Sequence, residues 1–332
     1  MGLPLPVRAG KLQGVPTESP RSSVDVSVVL PVYNEAGHLA TEVDRIRAAL
    51  EDSPYRYEIL VVDDGSTDGG PQELADLEGV RRITFHRNRG SGAARQAGTA
   101  LAQGEIVVWT DVDMTYPNHQ IPELVDNLAG WDMVVGARQA EQGTRRLVRI
   151  PAKWLIRKLA AFLVRTRIPD LNSGFRAFRK TVADQYMHLL PSGFSCVTTL
   201  TMSFLSNGYS VRYVPIDYAP RAGKSKFHWW KDTLRYLRQV VRMVLLWDPF
   251  RFFAPFGVVV GLGGMGKLVY DLVTKDLRVA TNTIVLLIIA ALFLLIALVT
   301  DLLVQLNRPR YTVLPAYTAE PDQGKAAEDP FL

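Results

Sequence analysis

Glu105-Ile106-Val107-Val108-Trp109-Thr110-Asp111-Val112-Asp113 is the stretch on which the reading of this chain turns. Four consecutive apolar residues suit a strand covered on both faces, and the run then breaks into two acids one residue apart. The same design recurs on either side. Val24 to Pro31 (VDVSVVLP) runs into Pro31-Val32-Tyr33-Asn34-Glu35, and Tyr57 to Val62 (YEILVV) into Asp63-Asp64-Gly65-Ser66-Thr67-Asp68-Gly69. A short strand at Arg82 to Phe85 precedes Asn88-Arg89-Gly90-Ser91-Gly92, and Met133 to Val135 precedes Gly136-Ala137-Arg138. Helical spacing fills the gaps at Glu35 to Leu50, Ser91 to Ala102 and Ile121 to Leu128. Short apolar strands alternating with helices predict an α/β fold with a mostly parallel sheet, whose ligand cleft lies beyond the carboxyl ends of the strands.

Asp111 and Asp113 are the sharpest pair in that cleft. In extended chain, side chains two residues apart point the same way, so both carboxylates are expected to face one cavity. Two close carboxylates repel unless a cation lies near them, and hard oxygen ligands suit Mg2+ or Mn2+. A turn acid beside a helix cap is the plainer alternative for such a pair.

Outward from the sheet, the chain is segregated by charge and by hydropathy. The formal net charge is +5. Residues 142–169 hold eight Lys/Arg and no acid, and residues 221–251 hold eight against two Asp, so the remainder is acidic. From Val279 to Thr300 there are 22 residues without a charge, enough to span the roughly 30 Å of a bilayer core. Phe252 to Gly266 gives a further 15, after which Lys267 and Asp271 sit one helical turn apart. Trp229, Trp230, Tyr236 and Trp247 interleave with Lys231, Arg235, Arg238 and Arg242 just before these spans, as in a helix lying among lipid headgroups. Phospholipid therefore explains the basic blocks better than nucleic acid, which is excluded as a partner. A single cysteine, Cys196, rules out a disulfide framework and a cysteine-cluster metal site. Gly261 to Lys267 imitates a phosphate-binding loop, but Leu268 stands where such a loop needs Ser or Thr. Gly257 and Gly261 read better as a small-residue packing face, turned either to the partner helix or to another subunit.

The series VVLPVYNE, EILVVDDGSTDG, NRGSGAARQAG, WTDVDMTYP, VVGAR, LNSGFRAF and PRAGKSK resembles the family 2 glycosyltransferases of GT-A fold. The likeness covers roughly residues 25–230 and is strongest to the dolichyl-phosphate mannose synthases and bacterial polyprenyl-phosphate glucosyltransferases. It implies a Rossmann-like, mostly parallel catalytic domain at residues 24–228, after a flexible tail at 1–23. Beyond it come an interfacial amphipathic helix at 229–251, a transmembrane hairpin at 252–306 (spans 252–273 and 279–304) and a tail at 307–332.

The resemblance also implies roles. Pro31, Tyr33, Glu35, Val62 and Asp64 match contacts to the base and ribose of a nucleotide-sugar. Asp111, Val112 and Asp113 match the motif for metal and diphosphate, with Mg2+ or Mn2+ as the cofactor. Arg138 matches an arginine near the sugar and phosphates, and Arg221 and Lys226 a basic clamp over them. Ser173 and Arg176 match the segment that meets a lipid phosphate. The implied reaction moves a hexose with inversion from a nucleotide-sugar, UDP-glucose first and GDP-mannose second, to polyprenyl phosphate. The implied place is the plasma membrane, with the catalytic domain and the 307–332 tail cytoplasmic and a homotetramer as the assembly. The alternatives are a glycosyltransferase acting on a polysaccharide or protein hydroxyl, and an inactive nucleotide-binding scaffold. Two positions depart from the pattern. Thr115 stands where many relatives carry Gln, and Ser173-Gly174-Phe175-Arg176 stands where some read GDFR and so supply an acid.

Overall fold

The computed structural model describes residues 24–138, 168–193, 195–219, 241–242, 245, 248–274 and 278–307. Seven strands form one mixed sheet: β1 (Val26–Val32), β2 (Tyr57–Asp63), β3 (Arg81–Thr84), β4 (Ile106–Trp109), β5 (Met133–Arg138), β6 (Arg176–Arg179) and β7 (Val211–Ile216). Their spatial order is β3-β2-β1-β4-β6-β5-β7. The parallel pairs are β1 with β2 and β4, β2 with β3, and β5 with β7. β6 alone runs the other way, paired antiparallel to both β4 and β5. The five strands expected from the sequence are present with ends shifted by a residue or a few, while β6 and β7 are additional.

Among the described residues, six α-helices accompany the sheet: α1 (Leu39–Glu51), α2 (Gly70–Asp76), α3 (Ser91–Leu101), α4 (Ile121–Asp126), α5 (Lys180–Asp184) and α6 (Cys196–Ser206). The pleat divides the core into two layers, because successive side chains of a strand leave on opposite faces. Val26, Val28, Leu30 and Val32 of β1 pack with Val43, Ile46 and Leu124. Val29, from the same strand, joins Val62, Ala94, Trp109 and Phe204 in the other layer. Burying an aliphatic side chain of this size contributes roughly 1.5–3 kcal/mol, so the two layers supply the main driving force of the domain.

Two long apolar helices follow, α7 (Pro249–Thr274) and α8 (Thr281–Asn307), each long and apolar enough to cross a bilayer. Their packing settles where the glycine face points. A Cβ on Gly257 would lie 2.8 Å from Leu294 Cγ, one on Gly264 2.9 Å from Leu287 Cδ2, and one on Gly261 3.6 Å from Ala290 Cβ. The small residues thus admit the chain's own partner helix, which removes the sequence's ground for placing a second copy there. Near the turn, buried Asp271 accepts hydrogen bonds from Thr283 Oγ1 (2.5 Å) and the Ala280 N–H (3.2 Å) and pairs with Lys267 at 3.4 Å.

Candidate functional site

The reversed strand assembles the cleft. β1, β2, β4 and β5 all deliver their carboxyl ends to one edge, and β6, running against them, delivers its beginning there. Trp109 of β4 and Val135 of β5 are both in register with Arg176, so residues 173–175 arrive beside the chain that leaves β4.

Asp111 is the meeting point. A Cβ added to Gly174 would lie 3.1 Å from Asp111 Oδ2, 3.1 Å from Arg95 Nη2 and 3.3 Å from Tyr116 Oη. A side chain there would require these side-chain ends to give way by a few tenths of an ångström. The Gly174 N–H donates to Tyr116 Oη at 2.8 Å, fixing the segment against the carboxylate. Asp111 Oδ1 accepts from Arg95 Nη2 at 2.5 Å, and about a third of the Asp111 side chain remains exposed. Burial is the largest influence on Arg95 and would lower its pKa, but the Asp111 charge together with Cys196 and Tyr116 raises it overall and keeps the guanidinium protonated.

Asp113 is less open than the extended-chain argument expects, at 7% exposed. Its Oδ1 accepts from Thr115 Oγ1 at 2.5 Å, so Thr115, one of the two departures noted above, orients this carboxylate. Val112 between the two acids is buried in the layer that holds Phe175 and Tyr116. The next residue, Met114, has a left-handed backbone (φ 62°), which is costly for any residue but glycine.

The loops that follow β1, β2 and β3 bond one another. Asp64 is 2% exposed, and its two oxygens accept from the N–H groups of Arg89 and Gly90, both at 2.7 Å. Asn34 receives the Thr67 N–H and donates its own N–H to Ser66, tying the β1 loop to the β2 loop. Tyr33 is exposed, Pro31 and Glu35 are half-buried, and Val62 is wholly in the core. Val62 is therefore a floor under this cleft that offers no side-chain edge to a ligand.

Arg138 leaves the end of β5 into a bidentate pair with Asp170, at 2.6 and 3.0 Å, a partner the sequence reading missed. Burial would raise the Asp170 pKa, yet the Arg138 hydrogen bonds and charge hold it below the usual carboxylate range. The guanidinium also lies 5.2 Å over the Tyr218 ring, which meets Tyr116 edge-on. Ser173 is fully buried, and its Oγ has no hydrogen-bond partner among the described residues.

Arg176 is the correction. It was expected at a lipid phosphate, but it is 0% exposed and points inward, donating to the carbonyls of Ser173 and Val197 and to Thr201 Oγ1. Burial brings its pKa down to about 10, still charged at neutral pH. It holds the 173–175 segment from behind and presents nothing to the cleft. Arg221 and Lys226, with most of the 229–251 stretch, lie outside the described residues.

Among the described residues no group of three or more His, Cys, Asp or Glu side chains is placed to hold a metal. Asp111 and Asp113 still fit a hard divalent cation, which is commonly held by one or two carboxylates with substrate phosphates completing the shell.

Residues 27–187 match the family Glycosyl transferase family 2, and residues 248–306 match the GtrB C-terminal hairpin. An undecaprenyl-phosphate 4-deoxy-4-formamido-L-arabinose transferase of Aeromonas hydrophila is 31% identical over 212 residues, 61% of this chain and 62% of the relative. The protein of the same name from Pseudomonas fluorescens is 33% identical over 189 residues, 52% of this chain and 55% of the relative. The matched stretch thus spans less than two thirds of those proteins. Among solved structures, glucosyl-3-phosphoglycerate synthase from Mycobacterium tuberculosis, in complex with UDP, aligns at TM-score 0.54 and 20% identity over 67% of this chain and 80% of its own. The same enzyme with Mn2+, UDP-glucose and phosphoglyceric acid aligns at 0.52 and 23%, over 67% and 79%. At such identities the likeness is one of fold.

Proposed function

Because this chain carries a family 2 glycosyltransferase domain and a GtrB-type hairpin, we propose that it transfers a hexose from a nucleotide-sugar to polyprenyl phosphate. The observation that supports this reading is the closeness of the Gly174 backbone to Asp111, so that the segment read as the acceptor side lies beside the acids read as the metal and diphosphate motif. The two apolar helices support an acceptor that resides in a membrane. The curated relatives, by their names, also use a polyprenyl phosphate.

The work divides among the residues by geometry. Asp111 and Asp113 would hold a divalent cation, Mg2+ or Mn2+, which supplies charge neutralisation on the departing diphosphate. Asp64, fixed by the Arg89 and Gly90 amides, and the Tyr33–Glu35 loop form the nucleoside end. Arg138, held by Asp170, directs a fixed positive group towards the sugar phosphates. Ser173, as buried as Arg176, presents no open hydroxyl to the attacking phosphate in this structure, and it is the backbone of the 173–175 segment that lies beside Asp111. That phosphate is ionised near neutrality, so it needs placement in line with the departing group and no general base. The missing GDFR acid is then no obstacle. The reading places the domain on the cytoplasmic side, where the basic blocks at 142–169 and 221–251 favour it.

Incubating the purified chain with labelled nucleotide-sugars, a short polyprenyl phosphate and Mg2+ or Mn2+ tests the proposal. UDP-glucose is the first donor to try and GDP-mannose the second. Label should enter the organic phase, and its absence with every common donor would remove the assignment.

A further inference from the structure

Behind the acidic motif lies a buried polar cluster that the reaction scheme does not use. Glu42, on the inward face of α1, is 0% exposed although it is a carboxylate. Asn118, also 0% exposed, donates through Nδ2 to Glu42 Oε1 (3.0 Å) and to the Asp111 carbonyl (3.3 Å). Its Oδ1 accepts from Thr110 Oγ1 at 2.5 Å. Arg45, one turn along α1, donates through Nη1 to both Glu42 oxygens (2.8 and 3.1 Å), and that nitrogen lies 3.9 Å from Met114 Sδ.

One asparagine therefore grips both the residue before Asp111 and the peptide of Asp111 itself, and one glutamate anchors the asparagine to a helix. The segment so gripped contains Met114 in its left-handed conformation, which persists only where the surroundings over-determine it. A buried carboxylate is costly to keep unless its bonds serve the structure around it. Those of Asn118 and Glu42 converge on the loop between Thr110 and Asn118.

We infer that Glu42 and Asn118 are positioning residues for Asp111 and Asp113, setting how tightly the cleft holds a divalent cation together with a nucleoside diphosphate. The inference rests on the glycosyltransfer reading. It concerns residues that touch neither substrate.

Mn2+ binding can be counted without turnover, by the electron paramagnetic resonance of the free ion, in full-length protein titrated in the presence of UDP or GDP. Asn118→Ala should weaken nucleotide-dependent Mn2+ binding about tenfold or more, the usual effect of removing the support of a metal ligand. Thr110→Val should weaken it less and reads the same loop if Asn118→Ala does not fold. Glu42→Gln, which keeps an amide oxygen for Asn118, should stay within about threefold of wild type. Val43→Ala, a purely apolar truncation in the same helix, supplies the comparison: it should lower Tm and leave Mn2+ affinity alone. Wild-type Mn2+ affinity in Asn118→Ala or Thr110→Val overturns the inference, as does an equal loss in Val43→Ala. Absence of nucleotide-dependent Mn2+ binding in the wild type itself would instead overturn the glycosyltransfer reading.

Discussion

Arg95 and Asp111 are paired at 2.5 Å where the first turns of α3 meet the end of β4, with the arginine 2% exposed and the aspartate open to the cleft. The guanidinium also lies 5.7 Å over the Trp109 ring, so it is held from below by an aromatic face and from above by a carboxylate. Any cation at Asp111 shares that carboxylate with a charge already in place.

Arg95→Met therefore leaves Asp111 without its partner and removes a buried contact of Trp109. Losing one member of a buried pair costs about 3–5 kcal/mol, and the exposure of Asp111 reduces that to roughly 2. Thermal unfolding should show a Tm lower by about 4–8 °C in a domain of this size. An unchanged Tm would show that the pair carries no stability.

The acids themselves should behave differently. Asp113→Ala is expected to abolish turnover, and Asp111→Asn to weaken both turnover and the metal-dependent affinity for donor. Thr115→Val deletes the hydroxyl that orients Asp113, worth about 1–1.5 kcal/mol, and should lower kcat/KM roughly tenfold, whereas Thr115→Ser should recover it. Full activity in excess chelator would exclude the metal-dependent scheme.

The Arg138–Asp170 pair gives a signature in pH. Asp170 has its folded pKa depressed, so the pair's contribution is present above the ordinary aspartate value of about 3.9 and is lost as pH falls through the lower folded value. Asp170→Asn should accordingly lower Tm at pH 7, with the difference from wild type shrinking below about pH 4. A gap in Tm that stays constant to pH 3 would refute the linkage.

In the hairpin, the glycines supply their own controls. Gly257→Leu and Gly264→Leu must push Leu294 and Leu287 aside, and overpacking of this kind typically costs about 1–3 kcal/mol. Gly263→Ala and Gly266→Ala meet nothing within 4 Å and should be neutral. Unfolding in detergent compares the two sets, and equal Tm values across them would overturn the packing described.

The parallel half of the sheet was legible because its strands are buried on both faces and so read as apolar runs. β6 was not, since Arg176-Ala177-Phe178-Arg179 offers two apolar residues between two arginines, one of which is buried. Nor was α6, whose Thr and Ser content argues against a helix in isolation. Thr199, Thr201 and Ser203 instead return their hydroxyls to the carbonyls four residues back, which lets them sit inside the core. The acids at the strand ends could be found from their positions alone. Asp170, Asn118 and the inward turn of Arg176 could not, because each depends on which strand lies next to which.

That neighbour relation also fixes an order of events during synthesis. β4 and β5 are successive in the chain, yet they are not bonded to each other; the place between them is taken by β6, made some forty residues after β5 begins. Until residues 176–179 emerge, both strands carry an unpaired edge, the kind of surface on which incomplete chains associate with one another. β6 brings Gly174 to Asp111, whereas the cover over Arg176 waits for Val197 and Thr201 of α6, and the other edge of β5 waits for β7. Ribosome-held chains ending before Arg176 should be cut readily by protease near β5, and chains long enough to present β7 through Ile216 should resist. Entry of β6 and juxtaposition of Gly174 with Asp111 are then one event in the life of the nascent protein, and pairing of β7 with β5 completes the sheet after it.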